Sequence, residues 1–154
     1  VAAFASPYAL IDHDGTSGKL VALDGDKLTS LAEKVPDLGV VVPPGRALLT
    51  GYDGKSGDLN LLERKDGTSS LRVVGENVPW RMYLYLLDQE GISYMTNYDD
   101  DAHTARLEVR FLKGDSTYHA DDVQQWGTVG WPVPAIIYLV PSGKNAGLWH
   151  AEIN

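Results

Sequence analysis

Residues Asp53 to Val73 read DGKSGDLNLLERKDGTSSLRV, and the reading of this stretch decides the fold. It opens on a glycine-containing turn, runs through an alternating apolar segment and closes on an acidic turn at Asp66. A hydroxyl residue follows, and then the short apolar segment Leu71-Arg72-Val73. Side chains in a strand alternate between faces, so this pattern reads as strands punctuated by turns. Asp14 to Leu31, DGTSGKLVALDGDKLTSL, has the same layout, and a third copy runs from Asp88 through Gly91 and Asp99 to Val109. From turn glycine to closing leucine the spacings are 13 (31 − 18), 14 (71 − 57) and 16 (107 − 91), close enough for related units with loop variation.

Working outward, Leu107, Val109 and Phe111 alternate with Arg106, Glu108 and Arg110, which predicts a strand with one core face and one wet face. Tyr83, Tyr85 and Leu87 alternate in the same way with Leu84, Leu86 and Asp88. One segment reads differently: Leu28, Leu31, Ala32 and Val35 lie on one amphipathic helical face, with Asp26 as its cap. Val42-Pro43-Pro44-Gly45 and Trp131-Pro132-Val133-Pro134 are the stiffest connections, because proline fixes its backbone angle and donates no hydrogen bond. The expected organisation is a single all-β domain over 1–154, as one body or two lobes. Its repeats lie around 8–35, 43–75 and 80–112, with a partial fourth unit over 131–154.

Composition narrows the function. The 154 residues hold 13 Lys+Arg against 21 Asp+Glu, a net charge of −8 that disfavours nucleic acid and anionic membranes as partners. With 44% hydrophobic residues the chain can bury a core, and no apolar run approaches the roughly 20 residues of a membrane span. The absence of cysteine excludes disulfide scaffolds, thiolate metal sites and cysteine nucleophiles. The opening Val-Ala-Ala-Phe-Ala-Ser reads as a mature end left by signal cleavage, an expectation of extracellular location, or as simple loss of Met. No Gly-x-Ser-x-Gly elbow, phosphate loop or His-Glu-x-x-His occurs, so a non-catalytic protein is expected. The histidines His13, His103, His119 and His150 lack the paired spacing of a zinc site and read as surface residues, although His119-Ala120-Asp121-Asp122 sets imidazole beside carboxylates.

The closing turns carry the chemistry. Each places an acid ahead of a hydroxyl: Asp26-Lys27-Leu28-Thr29-Ser30, Asp66-Gly67-Thr68-Ser69-Ser70 and Asp100-Asp101-Ala102-His103-Thr104. Calcium takes six to eight oxygen ligands, and such a turn offers about half of that shell through carboxylate, hydroxyl and carbonyl oxygens. Ordinary turn chemistry uses the same residues without metal.

On these loops the chain resembles the βγ-crystallin superfamily, whose microbial members carry (Asn/Asp)-(Asn/Asp)-X-X-(Ser/Thr)-Ser. Asp100 to Ala105, Lys65 to Ser70 and Gly25 to Ser30 each match five of the six positions. The family's aromatic hairpin is poorly kept, with His13 where an aromatic is usual. The resemblance implies a Greek-key β-sandwich in which two facing loops clamp Ca2+, with Asp100, Asp101, Ala102, Thr104, Asp66, Gly67, Ser69, Asp26, Lys27 and Thr29 as ligating positions. The competing expectation is a carbohydrate- or protein-binding module that uses Trp126, Trp131 and Trp149. Gln124-Gln125-Trp126 resembles the Gln-x-Trp signature of β-trefoil lectins, which makes a β-trefoil the alternative fold. An inhibitor or toxin acting through the segment from Gly114 to Gly130 is a third expectation.

Overall fold

The computed structural model describes residues 3–5, 8–24, 26–42, 46–50, 56–79, 82–86, 91–112, 116–129 and 135–152. Both proline-rich connections (Pro43 to Gly45 and Trp131 to Pro134), the turn over 53–55, Leu87, Asp88, residues 113–115 and Gly130 lie outside them. Among the described residues every regular element is a strand, and all pairing is antiparallel. The first sheet is β1 (Ala3–Ala5), β2 (Tyr8–Ile11), β3 (Gly18–Asp24) and β4 (Lys27–Val35). The second is β5 (Asp37–Val42), β6 (Arg46–Thr50), β7 (Ser56–Lys65) and β8 (Thr68–Pro79). The third is β9 (Tyr83–Leu86), β10 (Gly91–Asp99), β11 (Thr104–Phe111) and β12 (Thr117–Val123). The fourth has three strands, β13 (Gln125–Val129), β14 (Ala135–Val140) and β15 (Gly147–Glu152). Spatial order follows chain order within each sheet, so each is a meander. Among the described residues no last strand returns beside the first in the Greek-key manner. No helix is long and apolar enough to cross a membrane among them.

Contacts divide the chain into two units, Val1–Arg81 and Met82–Asn154. In the first, Tyr8, Leu10, Leu20, Ala22 and Val35 of the first sheet share a core with Ala47, Leu49 and Leu62 of the second. In the second, Met95, Ala105, Leu107, Val109 and Val123 share a core with Ile136, Tyr138 and Val140. The two units cross between sheets in the same way: β4 passes into β5 through Pro36 alone, and β12 passes into β13 through Gln124 alone. Gln124 keeps the ladder going by donating its N–H to the Leu139 carbonyl at 2.8 Å. At the other crossing the His13 ring accepts from Gly15 N–H through Nδ1 (3.1 Å), which leaves the Nε2 proton to reach the Pro36 carbonyl at 3.2 Å.

Leu107 and Val109 are buried on the core face as their alternation predicts, and Phe111 packs at the margin of that core. Arg106, Glu108 and Arg110 are half-buried rather than fully wet. The helix expected over 28–35 is strand β4. The cause lies in its register, where Leu20 pairs with Ala32 but Val21 with Ser30, and Gly18 with Val35. Two extra residues are thus inserted into β4 as bulges, and each bulge flips the facing of the residues beyond it. That imitates a helical period, while Leu28 is left 58% exposed.

The bulge near the end of the last strand recurs. Lys34, Asn77 and Asp122 all have left-handed backbones (φ 56, 52 and 58), each preceded by an acid and followed by a buried valine. Glu33-Lys34-Val35, Glu76-Asn77-Val78 and Asp121-Asp122-Val123 stand 43 and 45 residues apart (78 − 35 and 123 − 78). The left-handed turn lets the strand change facing so that its valine re-enters the core. A β-branched side chain is poorly tolerated there, whereas glycine is at home. Replacing Asn77 or Asp122 by valine is therefore expected to lower unfolding free energy by about 1–3 kcal/mol in urea titrations. Glycine at the same positions should stay within about 1 kcal/mol of the parent.

Candidate functional site

The acidic turns are hairpin tips. Asp66 and Gly67 both have positive φ (51 and 78), the two-residue turn whose twist matches the strands it joins, β7 and β8. Asp26 lies in the turn before β4, and Lys27 and Thr29 are exposed on that strand, while Ser69 is half-buried on β8. Those two turns join third to fourth strands. Asp100, Asp101 and Ala102 instead tip the hairpin between the second and third strands of their sheet, and Thr104 is buried at the start of β11. The loop equivalent to Asp26 and Asp66 by sheet position is the one between β11 and β12.

Asp99, rather than Asp100 or Asp101, organises its loop. One carboxylate oxygen accepts the N–H groups of Asp101 (2.9 Å) and Ala102 (3.0 Å). Asp14 does the same in the β2–β3 hairpin, accepting from Thr16 N, Thr16 Oγ1 and Ser17 N at 2.8, 2.7 and 2.9 Å. These donors stabilise the ionised form, so backbone hydrogen bonds hold both carboxyls below the usual carboxylate range. Among the described residues no three His, Cys, Asp or Glu side chains converge on a point where a metal ion would sit.

The residues that do converge lie in the second unit. Tyr118, His119, Ala120, Asp121 and Asp122 of β12, Tyr138 and Val140 of β14, Asn145 and Trp149 line an open cleft of about 360 Å3. Three local features build it. Ala105 pairs with Val123 but Leu107 with Ala120, so an extra residue enters β12 at its Asp121-Asp122 bulge, beside the left-handed Asp122. Trp149, 45% exposed, donates its indole N–H to the Asn145 carbonyl at 2.8 Å, which fixes the ring over its own hairpin. Gly147 beneath it has φ +150, and a Cβ there would come within 3.6 Å of the indole nitrogen. Finally, the Tyr118 and Tyr138 hydroxyls bond at 2.8 Å, and burial together with that bond pushes the Tyr138 phenol up to about 12. Arg106 lies 2.6 Å from Glu108 and 3.8 Å from Asp121.

Of the tryptophans expected to bind a ligand, Trp149 alone lines this cleft among the described residues. Trp126 is half-buried against the core and donates its indole N–H to Ser93 Oγ at 3.1 Å, and Trp131 lies outside the described residues. Asn145 carried no sequence signal of its own. Asp121 and Asp122 stood in the sequence as carboxylates beside His119, and the left-handed backbone that sets Asp122 before Val123 is a finding of the structure. No protein family, curated protein or solved structure matches the chain.

The carboxylate-capped turns have a pH signature. Their folded pKa values are depressed, so their stabilisation is complete above the unfolded value near 4 and is lost as pH falls through the lower folded value. Circular dichroism melts between about pH 6 and 2 should show Tm falling at acid pH in the parent. The fall should be smaller in a variant carrying Asp14→Asn and Asp99→Asn, since the amide oxygen keeps the turn without a titrating charge.

Proposed function

We propose that this protein is a non-catalytic binding module whose ligand is a neutral carbohydrate held in the β12–β14–β15 cleft. The observation that carries this reading is the exposed, hydrogen-bonded indole of Trp149 beside the Asp121 and Asp122 carboxylates. A fixed aromatic face buries the apolar C–H side of a sugar ring at small entropic cost, and carboxylates accept its hydroxyl protons. The acidic pair and the net charge of −8 disfavour an anionic ligand. The cleft volume falls in the range of small-ligand sites.

As to the fold type, four-stranded meanders recurring every 43 or 45 residues are built as propeller blades are (78 − 35 and 123 − 78). A Greek-key sandwich of βγ-crystallin type has the acidic loops as its support, and with it comes the second reading, a calcium clamp. What favours that reading is the Asp99 loop. With Asp99 engaged by the backbone, the loop still presents exposed Asp101 at its tip.

Titration with a panel of neutral mono- and oligosaccharides, followed by calorimetry and tryptophan fluorescence, tests the first reading. Saturable binding that Trp149→Ala abolishes and Asp121→Asn weakens about tenfold is the expected result, and no heat or spectral change with any sugar overturns it. Melting in millimolar calcium and in chelator tests the second. A Tm rise that Asp101→Ala removes supports the clamp, and an unchanged Tm ends it.

A further inference from the structure

Two tyrosines of the cleft stand where the first unit has residues of another kind. Tyr138 of β14 lies opposite Trp126 on one side and Trp149 on the other. In the first unit the corresponding place, on β6 between Leu38 and Asn60, is held by Leu49. Both side chains belong to a core, with Leu49 3% and Tyr138 8% exposed. Leucine therefore suffices for the packing, and a phenol in its place carries a desolvation cost that its hydroxyl must recover. Among the described residues that hydroxyl bonds Tyr118 alone, at 2.8 Å. Tyr118 lies opposite Val109, two places along from the Leu107–Ala120 pair. The first unit has Thr29 there, opposite Ala22 and two places along from Leu20–Ala32. The same strands thus pack without the phenol pair, so the fold does not require it.

One of the two hydroxyls donates to the other. Donation by Tyr118 would leave the proton of Tyr138, the more buried residue, without a partner among the described residues, and an unmet buried donor is costly. Donation by Tyr138 instead leaves the Tyr118 proton on the side of the cleft, where Tyr118 is 36% exposed. Burial and the shared bond push the Tyr138 phenol up to about 12, so it keeps the proton it donates. We propose that Tyr118 is the hydroxyl donor to the bound sugar, and that Tyr138 is a positioning residue that acts through it by donating to the Tyr118 oxygen. With a neutral sugar in the cleft, the reading on which this proposal rests, one sugar hydroxyl accepts from Tyr118. The Asp121 and Asp122 carboxylates of the same cleft accept the sugar's own protons. Linked hydrogen bonds polarise one another, so the Tyr138 bond strengthens the one that Tyr118 makes. The occupant is thereby narrowed to a polyol with a hydroxyl at that point, since an analogue lacking it leaves the Tyr118 proton unmet.

The test is calorimetric titration of the full chain with glucose, galactose, mannose, cellobiose, lactose and maltose. It compares the parent with Tyr118→Phe, Tyr138→Phe and the double variant, and Tm is measured for each. For the sugar that binds the parent most tightly, Tyr118→Phe is expected to raise Kd about tenfold and Tyr138→Phe about three- to tenfold. The double variant should bind no more weakly than Tyr118→Phe alone, because Tyr138 acts only through Tyr118. Sugar binding to the parent should also shift the near-ultraviolet absorption of tyrosine, a signature that Tyr118→Phe removes. A role in packing alone lowers the Tm of Tyr138→Phe and leaves its Kd at the parent value, which overturns the proposal. Losses that multiply in the double variant overturn it as well. A parent that binds none of the six sugars ends the carbohydrate reading together with the proposal, whereas binding that both single variants keep unchanged ends the proposal alone.

Discussion

A four-stranded meander has an apolar face that cannot be left in water, and the rest of this structure depends on covering it. Leucine burial is worth roughly 1.5–3 kcal/mol per side chain, far more than an exposed ion pair contributes. The first sheet covers its Leu10 and Leu20 with Ala47, Leu49 and Leu62 of the next, and the third covers Leu107 and Val109 with Ile136 and Tyr138. One residue joins the sheets at each crossing, Pro36 in the first unit and Gln124 in the second, so the last strand must change facing before it leaves its sheet. The left-handed residue before Val35, Val78 and Val123 makes that change. Backbone strain of a few kcal/mol at most is offset by returning a valine to the core.

Much of this is legible in the chain, and the failures have a common cause. Strict alternation at Leu107 and Val109 predicts the strand and its core face correctly because nothing interrupts the ladder between them. The segment 28–35 reads as a helix because two bulges break the alternation, and a periodic pattern cannot distinguish a bulged strand from a short amphipathic helix. The repeat shows itself in its turns, where Asp-Gly and Asp-Ser-Thr chemistry is conspicuous. It is carried more faithfully by the acid, left-handed residue, valine triplets, which are inconspicuous because Lys34, Asn77 and Asp122 share only a backbone conformation. As a result Asp100-Asp101 aligns by sequence with Asp26 and Asp66, although it caps a different hairpin of its sheet.

The site shows the same division. Carboxylates in turns are visible in sequence, but which atoms they serve is not: Asp14 and Asp99 spend their oxygens on backbone N–H groups. The cleft is assembled from β12 of one sheet and β14, β15 and their hairpin of the next, and only the packing of the two sheets brings Tyr118 to Tyr138. Aromatic content in the last third points to this region, yet Trp126 and Trp149 look alike in sequence. What separates them is that one indole N–H is spent on Ser93 inside the core and the other on a turn carbonyl at the surface.

The fold stands on the order of strands within each sheet, and cross-strand backbone NOEs from a uniformly labelled sample measure that order. The meander requires contacts between sequence neighbours, Leu49 with Asn60, Leu62 with Leu71, Met95 with Leu107 and Val109 with Tyr118. Contacts instead joining the first strand of a sheet to its last, such as residues 37–42 with 68–79, would establish a Greek-key order and contradict it.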